Sequence, residues 1–265
     1  MPKSRKRANN FWCICLCILS LIHPYTIRAE ETEEPQSEIT DSVYSKEKEY
    51  NFKAKQLILP LALCAVGATG LIENSPLNKL SNNIHDEIAK KGYHTEVDNW
   101  IQYAPIALHL GLGAAGVKCK HTLWERTQVA ATAYACMAIV NNGIKYTVRE
   151  GRPDSSAHNS FPSGHTATAF TGAELVRIEY GPWYGALAYA TATAVGVMRV
   201  INDRHWSHDV IAGAGLGILS ARVGLWMLPV WRKVLKSKKD TPAMSIVPAI
   251  DPWSKHYALS TSIQL

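Results

Sequence analysis

The stretch Thr127–Ile144, TQVAATAYACMAIVNNGI, contains no charged residue and is long enough for about five turns of α-helix. Five more apolar segments of helical length lie around it, and Glu174 and Arg222 are their only charged residues when His is counted as neutral. The six segments are Leu57–Ile72, Trp100–Val117, Thr127–Ile144, Ser163–Val176, Tyr180–Met198 and Val210–Trp231. Apolar runs of this length, rich in Ala, Gly, Thr and Leu, predict an all-α fold built as a six-helix bundle.

At least four of these segments are long enough to cross a bilayer, which indicates a membrane-embedded bundle. Two basic clusters fall on the same side of a six-span arrangement, as the positive-inside rule requires. They are Lys118, Lys120, His121 and Arg126, and Arg232, Lys233, Lys236, Lys238 and Lys239. The mean hydropathy is only -0.09. This value favours the alternative that one segment lies on the surface or packs as a core helix.

The N-terminus has the pattern of an export signal. Four basic residues lie within the first seven positions, an uncharged run Phe11–Ile22 follows, and Ala29 offers a small residue for cleavage. This pattern predicts a signal peptide over residues 1–29, with a buried N-terminal helix or an uncleaved anchor as alternatives. Five of the 28 basic residues and none of the 22 acidic ones lie in that segment, so its removal changes the net charge from +6 to +1. A nearly neutral chain without interleaved aromatic and basic residues excludes nucleic acid as a partner.

The rest of the chain divides into three parts. Residues 30–56 form an acidic flexible leader with a surface helix at Val43–Lys55, and residues 57–235 form the helical domain. In the tail, residues 236–265, the segments Ala243–Ile250 and His256–Gln264 are predicted to form a short β-hairpin. Six cysteines are too few for a disulfide scaffold, and 47% hydrophobic residues exclude disorder over most of the chain.

Three short clusters of polar residues lie at the ends of the apolar segments. They are Lys145 with Arg152-Pro153, then Pro162-Ser163-Gly164-His165, then Arg199 with His205 and Asp209. Antiparallel packing of the last four segments brings all three clusters to the same end of the bundle. The sequence therefore predicts one site at that end.

The residue types in this site suit a phosphoryl group. Lys145, Arg152 and Arg199 supply three cations, and the forked guanidinium groups match phosphoryl oxygens. Ser163 and Gly164 begin a helix, where backbone N–H groups bind anions.

Two histidines remain for the chemistry of the site. Asp209 lies one helical turn after His205 and can orient its imidazole, which makes His205 the predicted nucleophile. His165 can then protonate the leaving oxygen as a general acid.

The motifs K-x6-R-P, P-S-G-H and R-x5-H-x3-D resemble the signature of the type 2 phosphatidic acid phosphatase (PAP2) superfamily. That superfamily includes bacterial acid phosphatases and vanadium haloperoxidases. The resemblance implies a PAP2/haloperoxidase-like helical bundle, no metal or other cofactor, and a phosphohistidine formed on His205. It also implies that Lys145, Arg152, Ser163, Gly164 and Arg199 hold the phosphoryl oxygens. Met198 is the one departure, since the family usually has Ser there.

Several neighbouring residues have less specific interpretations. His208 lies between His205 and Asp209 and is the alternative nucleophile, although the spacing favours His205. His158 is interpreted as a solvated loop residue, Asp154 as paired with a basic neighbour, and Glu174 as paired with Arg177.

The expected function is that of a phosphatase acting on a lipid-linked phosphomonoester or diphosphate, such as phosphatidate, polyprenyl diphosphate or a lipid A phosphate. Its expected partners are the phosphorylated lipid and the membrane. The expected place is the inner membrane of the cell envelope, with the site facing the periplasm. Three alternatives stay open: a soluble periplasmic acid phosphatase of broad specificity, a vanadium haloperoxidase, and a structural membrane protein that kept the motif.

Overall fold

The computed structural model describes residues 52–89, 92, 94–236, 243–250 and 257–264. The predicted signal peptide and nearly all of the acidic leader, including most of the proposed surface helix, lie outside these residues. The described helices are α1 (Lys55–Thr69), α2 (Pro76–Ala89), α3 (Val97–Ile101), α4 (Ala104–Ala114), α5 (Leu123–Val148), α6 (Gly164–Tyr180), α7 (Pro182–Ile201), α8 (Ser207–Trp226) and α9 (Leu228–Lys236). The predicted all-α bundle is confirmed.

The count of six helices is too low, because the described residues also form α2, α3 and α9. Helix α2 was missed because it is a mostly polar stretch, although its apolar residues Leu77, Leu80, Ile84 and Ile88 recur every three or four positions, as in an amphipathic helix. The predicted segment Trp100–Val117 is interrupted: α3 ends at Ile101, and α4 begins with Pro105 in its first turn.

Helix α8 lies at the centre of the bundle and packs against α1, α5 and α6. Its glycines permit this close packing, because a Cβ atom on Gly215 would lie 2.6 Å from the Pro60 carbonyl oxygen of α1. One on Gly217 would lie 2.5 Å from the Ala167 oxygen of α6. Helix α6 packs in turn against α4 and α7. Chain direction alternates from α5 to α8, which places the start of α6 and the start of α8 at one end.

Two stretches within the described residues are long and apolar enough to cross a membrane, Pro182–Ile201 and Ser207–Leu235. This is fewer than the four expected from segment length. Helices α1 and α4 have only 15 and 11 residues. Helix α5 has 26 residues, but its uncharged stretch contains Gln128, Asn141 and Asn142, which lower the hydropathy.

The tail forms the predicted hairpin. Strand β1 (Ala243–Ile250) pairs antiparallel with β2 (Tyr257–Gln264), with Ile250 opposite Tyr257. The second strand therefore begins one residue after its predicted start.

Candidate active site

The three motif clusters lie together at the end of the bundle where α6 and α8 begin. The Ser163 N–H at the start of α6 donates a hydrogen bond of 3.1 Å to the Asp209 carbonyl oxygen of α8. Lys145, near the end of α5, donates from Nζ to the carbonyl oxygens of Asn159 and Ser160 in the loop before α6. A side chain of α5 therefore holds the loop that leads into α6, and a backbone hydrogen bond holds the start of α6 against α8.

His205 is buried, with 3% of its surface exposed. Its Nδ1 lies 3.3 Å from Asp209 Oδ2 and 3.4 Å from Ser160 Oγ. The Ser160 hydroxyl and the Trp206 N–H both donate to Asp209 Oδ2, which fixes the carboxylate. A proton on Nδ1 directed at this carboxylate leaves the lone pair on Nε2 for attack on phosphorus.

Burial lowers the pKa of His205 to about 4, and the cations Lys145 and Arg199 act in the same direction against Asp209. The imidazole is therefore neutral at neutral pH, as a nucleophile must be. Ser160 was missed by the sequence analysis, because a serine in a loop without a recognisable spacing to His205 gives no signal.

Arg199 is held by a second residue that the sequence did not reveal. Its Nη1 lies 2.6 Å from Asp98 Oδ2, and both side chains are almost fully buried. The Asn202 side chain donates to the other Asp98 oxygen at 3.0 Å. Within the described part of the chain, the buried Nε of Arg199 has no hydrogen-bond partner. The guanidinium group is thus anchored on one side and keeps a donor for a ligand.

A cavity of about 160 Å³ is lined by three guanidinium groups, those of Arg152, Arg199 and Arg204. Arg152 Nε donates to Asn159 Oδ1 at 2.9 Å. Arg204 pairs with Asp154 at 2.9 Å, which confirms that Asp154 has a basic partner and adds a cation that the motifs did not include. Glu96 and Asp98 also line the cavity, so the three arginines leave a net positive charge that favours an anionic ligand.

His165 lies in the first turn of α6, half-buried, with Nε2 3.1 Å from the Asn99 side-chain oxygen. Burial and then Arg199 lower the pKa of His165 to about 4. A bound anionic phosphate opposes the effect of the cations and favours the protonated imidazole, which is the form that a general acid requires.

The start of α6 carries the remaining two predicted phosphate ligands. Ser163 occupies the N-cap position and is fully buried, and its hydroxyl accepts a hydrogen bond from Thr166 instead of capping the helix. Gly164 is the first helical residue, so the N–H groups of the first turn have no partner within the helix.

His208 is engaged at both ring nitrogens, unlike His205. Nδ1 lies 3.0 Å from Ser81 Oγ of α2, and Nε2 lies 2.8 Å from Glu150 Oε1. This arrangement favours His205 over His208 as the nucleophile. Nε2 is also 3.6 Å from Asp209 Oδ1, which lacks a hydrogen-bond partner among the described residues.

Glu150, His208 and Asp209 form one group with the spacing of metal ligands in the described residues. Burial raises the pKa of Glu150 to about 7, so this carboxyl group binds a proton near neutral pH. A proton shared among these three side chains offsets the negative charge of the two adjacent carboxylates. Such a proton is therefore an alternative to a metal ion.

A family comparison agrees with this geometry: residues 127–233, which hold all three clusters, match the model of the PAP2 superfamily. Over these residues, about two fifths of the chain, the protein is similar to the PAP2 superfamily.

Two proteins similar to this chain share the name Lipid A 1-phosphatase. The one from Porphyromonas gingivalis is 39% identical over 158 residues, which are 56% of this chain and 36% of that protein. The one from Rhizobium johnstonii is 31% identical over 160 residues, 48% of this chain and 64% of that protein. The chain thus matches less than two thirds of the length of either relative. The crystal structure of Aquifex aeolicus LpxE has a TM-score of 0.43 at 20% identity, covering 58% of this chain and 96% of that one.

Proposed function

We propose that this protein is a phosphatase that hydrolyses a phosphomonoester or diphosphate carried by a lipid. The observation that carries the proposal is the buried His205, oriented by Asp209 and close enough to the cations Lys145 and Arg199 to feel their charge. A neutral imidazole beside guanidinium groups is suited to attack on a phosphoryl group whose charge those groups balance.

The first step transfers the phosphoryl group to the protein. Nε2 of His205 forms a bond to phosphorus, the bond to the leaving oxygen breaks, and His165 gives its proton to that oxygen. Arg152, Arg199 and Lys145 balance the charge on the other phosphoryl oxygens, and Asp209 stabilises the positive charge that develops on the imidazole. The free N–H groups at Gly164 and the hydroxyl of Ser163 complete the proposed phosphate site.

The second step releases phosphate. A water molecule attacks phosphorus, the bond to Nε2 breaks, and His165 takes the proton of the water. Both His205 and His165 return to their starting forms. The charge of the phosphoryl group is balanced by side chains and by the first turn of α6, so this pathway requires no metal ion.

Three observations support a lipid-linked substrate and a membrane location. Helix α7 and the stretch from α8 into α9 meet the length and hydropathy of membrane spans. Large apolar side chains are exposed on the bundle, among them Ile139 at 73% and Trp183 at 87%. Two similar proteins are named Lipid A 1-phosphatase. We therefore propose the 1-phosphate of lipid A as the first substrate to test, ahead of phosphatidate and polyprenyl diphosphate.

The proposed location is the inner membrane with the site facing the periplasm, after export by the N-terminal segment. Cell fractionation tests this location, because a membrane protein stays in the membrane fraction until detergent is added. Release by osmotic shock would contradict it and favour a soluble periplasmic phosphatase.

Phosphate release tests the activity. We expect the purified protein to release phosphate from at least one member of a panel of lipid and soluble phosphates, and His205→Ala to abolish the release. Acid-labile, base-stable labelling of the wild-type protein after rapid quenching would identify the phosphohistidine. No release from any substrate, or full release by His205→Ala, would contradict the proposal.

A further inference from the structure

A second and larger cavity opens beside the active site. Its volume is about 630 Å³, against about 160 Å³ for the cavity between the three arginines. Two of its lining residues also contact the active site: Lys145 is a proposed phosphate ligand, and the Asn159 side chain accepts from Arg152. The cavity is lined by Asn142, Lys145, Tyr146, Arg149, His158 and Asn159. It therefore borders the phosphate site without taking part in the two proposed steps.

The lining of this cavity is basic. It contains two cations, one histidine and no carboxylate. Arg149 is exposed, its Nε donates to a backbone carbonyl oxygen of its own helix at 3.3 Å, and it forms no ion pair with the described residues. The carboxylates nearest to it in sequence, Glu150 and Asp154, bind His208 and Arg204. The charge of the Arg149 guanidinium is therefore available to an anion in the cavity.

The backbone at Arg149 is unusual. Helix α5 ends at this residue, which has a left-handed conformation with φ 53°, where glycine is the usual residue. A non-glycine residue in this region is uncommon and is found most often where function requires it. Arg149 follows Lys145 by one helical turn, so the two cations lie roughly 6 Å apart along the axis of α5. This spacing leaves room for one anionic group at each cation.

We propose that this cavity binds a second anionic group of the lipid substrate, joined to the scissile phosphate through the leaving group. The inference rests on the proposed function, which places the scissile phosphate at Arg152 and Arg199. The forked donors of Arg149 match phosphoryl or carboxylate oxygens, and the side-chain amides of Asn142 and Asn159 add N–H donors. The protein should therefore favour lipids with two anionic groups over lipids with one.

The volume of the cavity agrees with such a ligand. About 630 Å³ equals the volume of roughly twenty water molecules at about 30 Å³ each. One phosphoryl group leaves most of this space unfilled, whereas an anionic group together with the part of the headgroup that links it to the scissile phosphate uses more of it. A volume of this size is also typical of pockets that select among substrates.

Binding of phosphonates, which are not hydrolysed, tests the inference by calorimetry on the purified full-length protein. Hexylphosphonate carries one anionic group, and its bisphosphonate analogue carries a second one at the other end of the same chain. We expect the wild type to bind the bisphosphonate about tenfold more tightly, as one additional charge-assisted pair provides. Arg149→Gln should remove most of this preference, and Arg149→Lys, which keeps the charge, should retain most of it.

A matched control removes one positive charge at a distance from the cavity. Lys118 is exposed and precedes the start of α5, whereas Arg149 ends that helix. Lys118→Gln should keep the preference of the wild type. Equal affinity of the wild type for the two phosphonates would overturn the proposal, and so would an equal loss of preference in Arg149→Gln and Lys118→Gln.

The binding assay is independent of turnover, so it separates this inference from the proposed function. A preference for the bisphosphonate that depends on Arg149, in a protein that releases no phosphate from any lipid, would support the anion subsite and contradict hydrolysis. Phosphate release without any preference for the bisphosphonate would support hydrolysis and overturn the subsite.

Discussion

Both ends of the bundle bury charged side chains, yet they use them in different ways. At the active-site end, Asp209 and Asp98 hold His205 and Arg199 while leaving ring or guanidinium nitrogens available. At the opposite end, both oxygens of Glu174 are occupied by two guanidinium groups and a tyrosine hydroxyl. Carboxylates thus orient reactive groups at one end and hold helices together at the other. Mutations at the active-site end should therefore lower turnover, and mutations at the opposite end should lower the free energy of unfolding.

His205→Ala should have the largest effect, because it removes the atom that bonds to phosphorus. We expect kcat to fall by about 10⁴-fold or more, as for loss of a catalytic nucleophile. Phosphate release in a rapid-quench assay measures it, and Ser156→Ala, which changes an exposed side chain in a nearby loop, is the control. More than about 1% residual activity would exclude His205 as the nucleophile.

His165→Ala should lower kcat by about 10²- to 10⁴-fold, the usual contribution of a general acid. His205 must be neutral, so activity falls as pH falls through its pKa of about 4. His165 must be protonated, so activity falls as pH rises through its pKa, also about 4 in the free protein. The profile of kcat/KM against pH should therefore peak on the acid side of neutrality, and the variant should lose the alkaline limb.

The leaving group provides a control for that variant. With 4-nitrophenyl phosphate, whose leaving group needs no proton, the loss caused by His165→Ala should shrink. An equal loss for good and poor leaving groups would contradict a proton-donor role.

Asp98→Asn should reduce kcat/KM by about 10²-fold, since Arg199 loses its buried ionic partner and its fixed position. The free energy of unfolding should also fall by about 3 kcal/mol, because an unpaired buried cation is left behind. Denaturant unfolding and initial rates measure the two effects. Asp86→Asn, an exposed change on α2, should alter neither.

Ser160→Ala should lower kcat by about tenfold, because it removes one hydrogen bond that holds Asp209. Ser156→Ala in the same loop is exposed and should have no effect. Unchanged kinetics in Ser160→Ala would mean that the Trp206 N–H alone positions the carboxylate.

Glu174→Gln should have the smallest effect on turnover, within about threefold, while it lowers the free energy of unfolding by about 3 kcal/mol. The reason is that two guanidinium groups lose their shared counter-charge far from His205. Glu73→Gln, at an exposed position, should leave the Tm unchanged. A large loss of kcat in folded Glu174→Gln would show that the two ends are coupled.

The sequence predicted the bundle and the positions of His205, His165 and the three cations because these depend on local pattern: apolar segment length and fixed spacing at helix ends. It could not predict Asp98 or Ser160, since both reach the site only through tertiary packing. Asp98 contacts Arg199 across 101 residues of chain, and Ser160 contacts Asp209 across 49. Neither has a spacing that identifies its partner.

The glycines of α8 have a consequence for how the protein opens. Gly215 and Gly217 let the backbones of α1 and α6 approach α8 closely, in the buried middle of the bundle. Core elements of this kind open with free energies that approach that of global unfolding. The amide protons in the middle of α8 should therefore exchange with solvent more slowly than those of α2 or α9, and global unfolding should be the event that releases them.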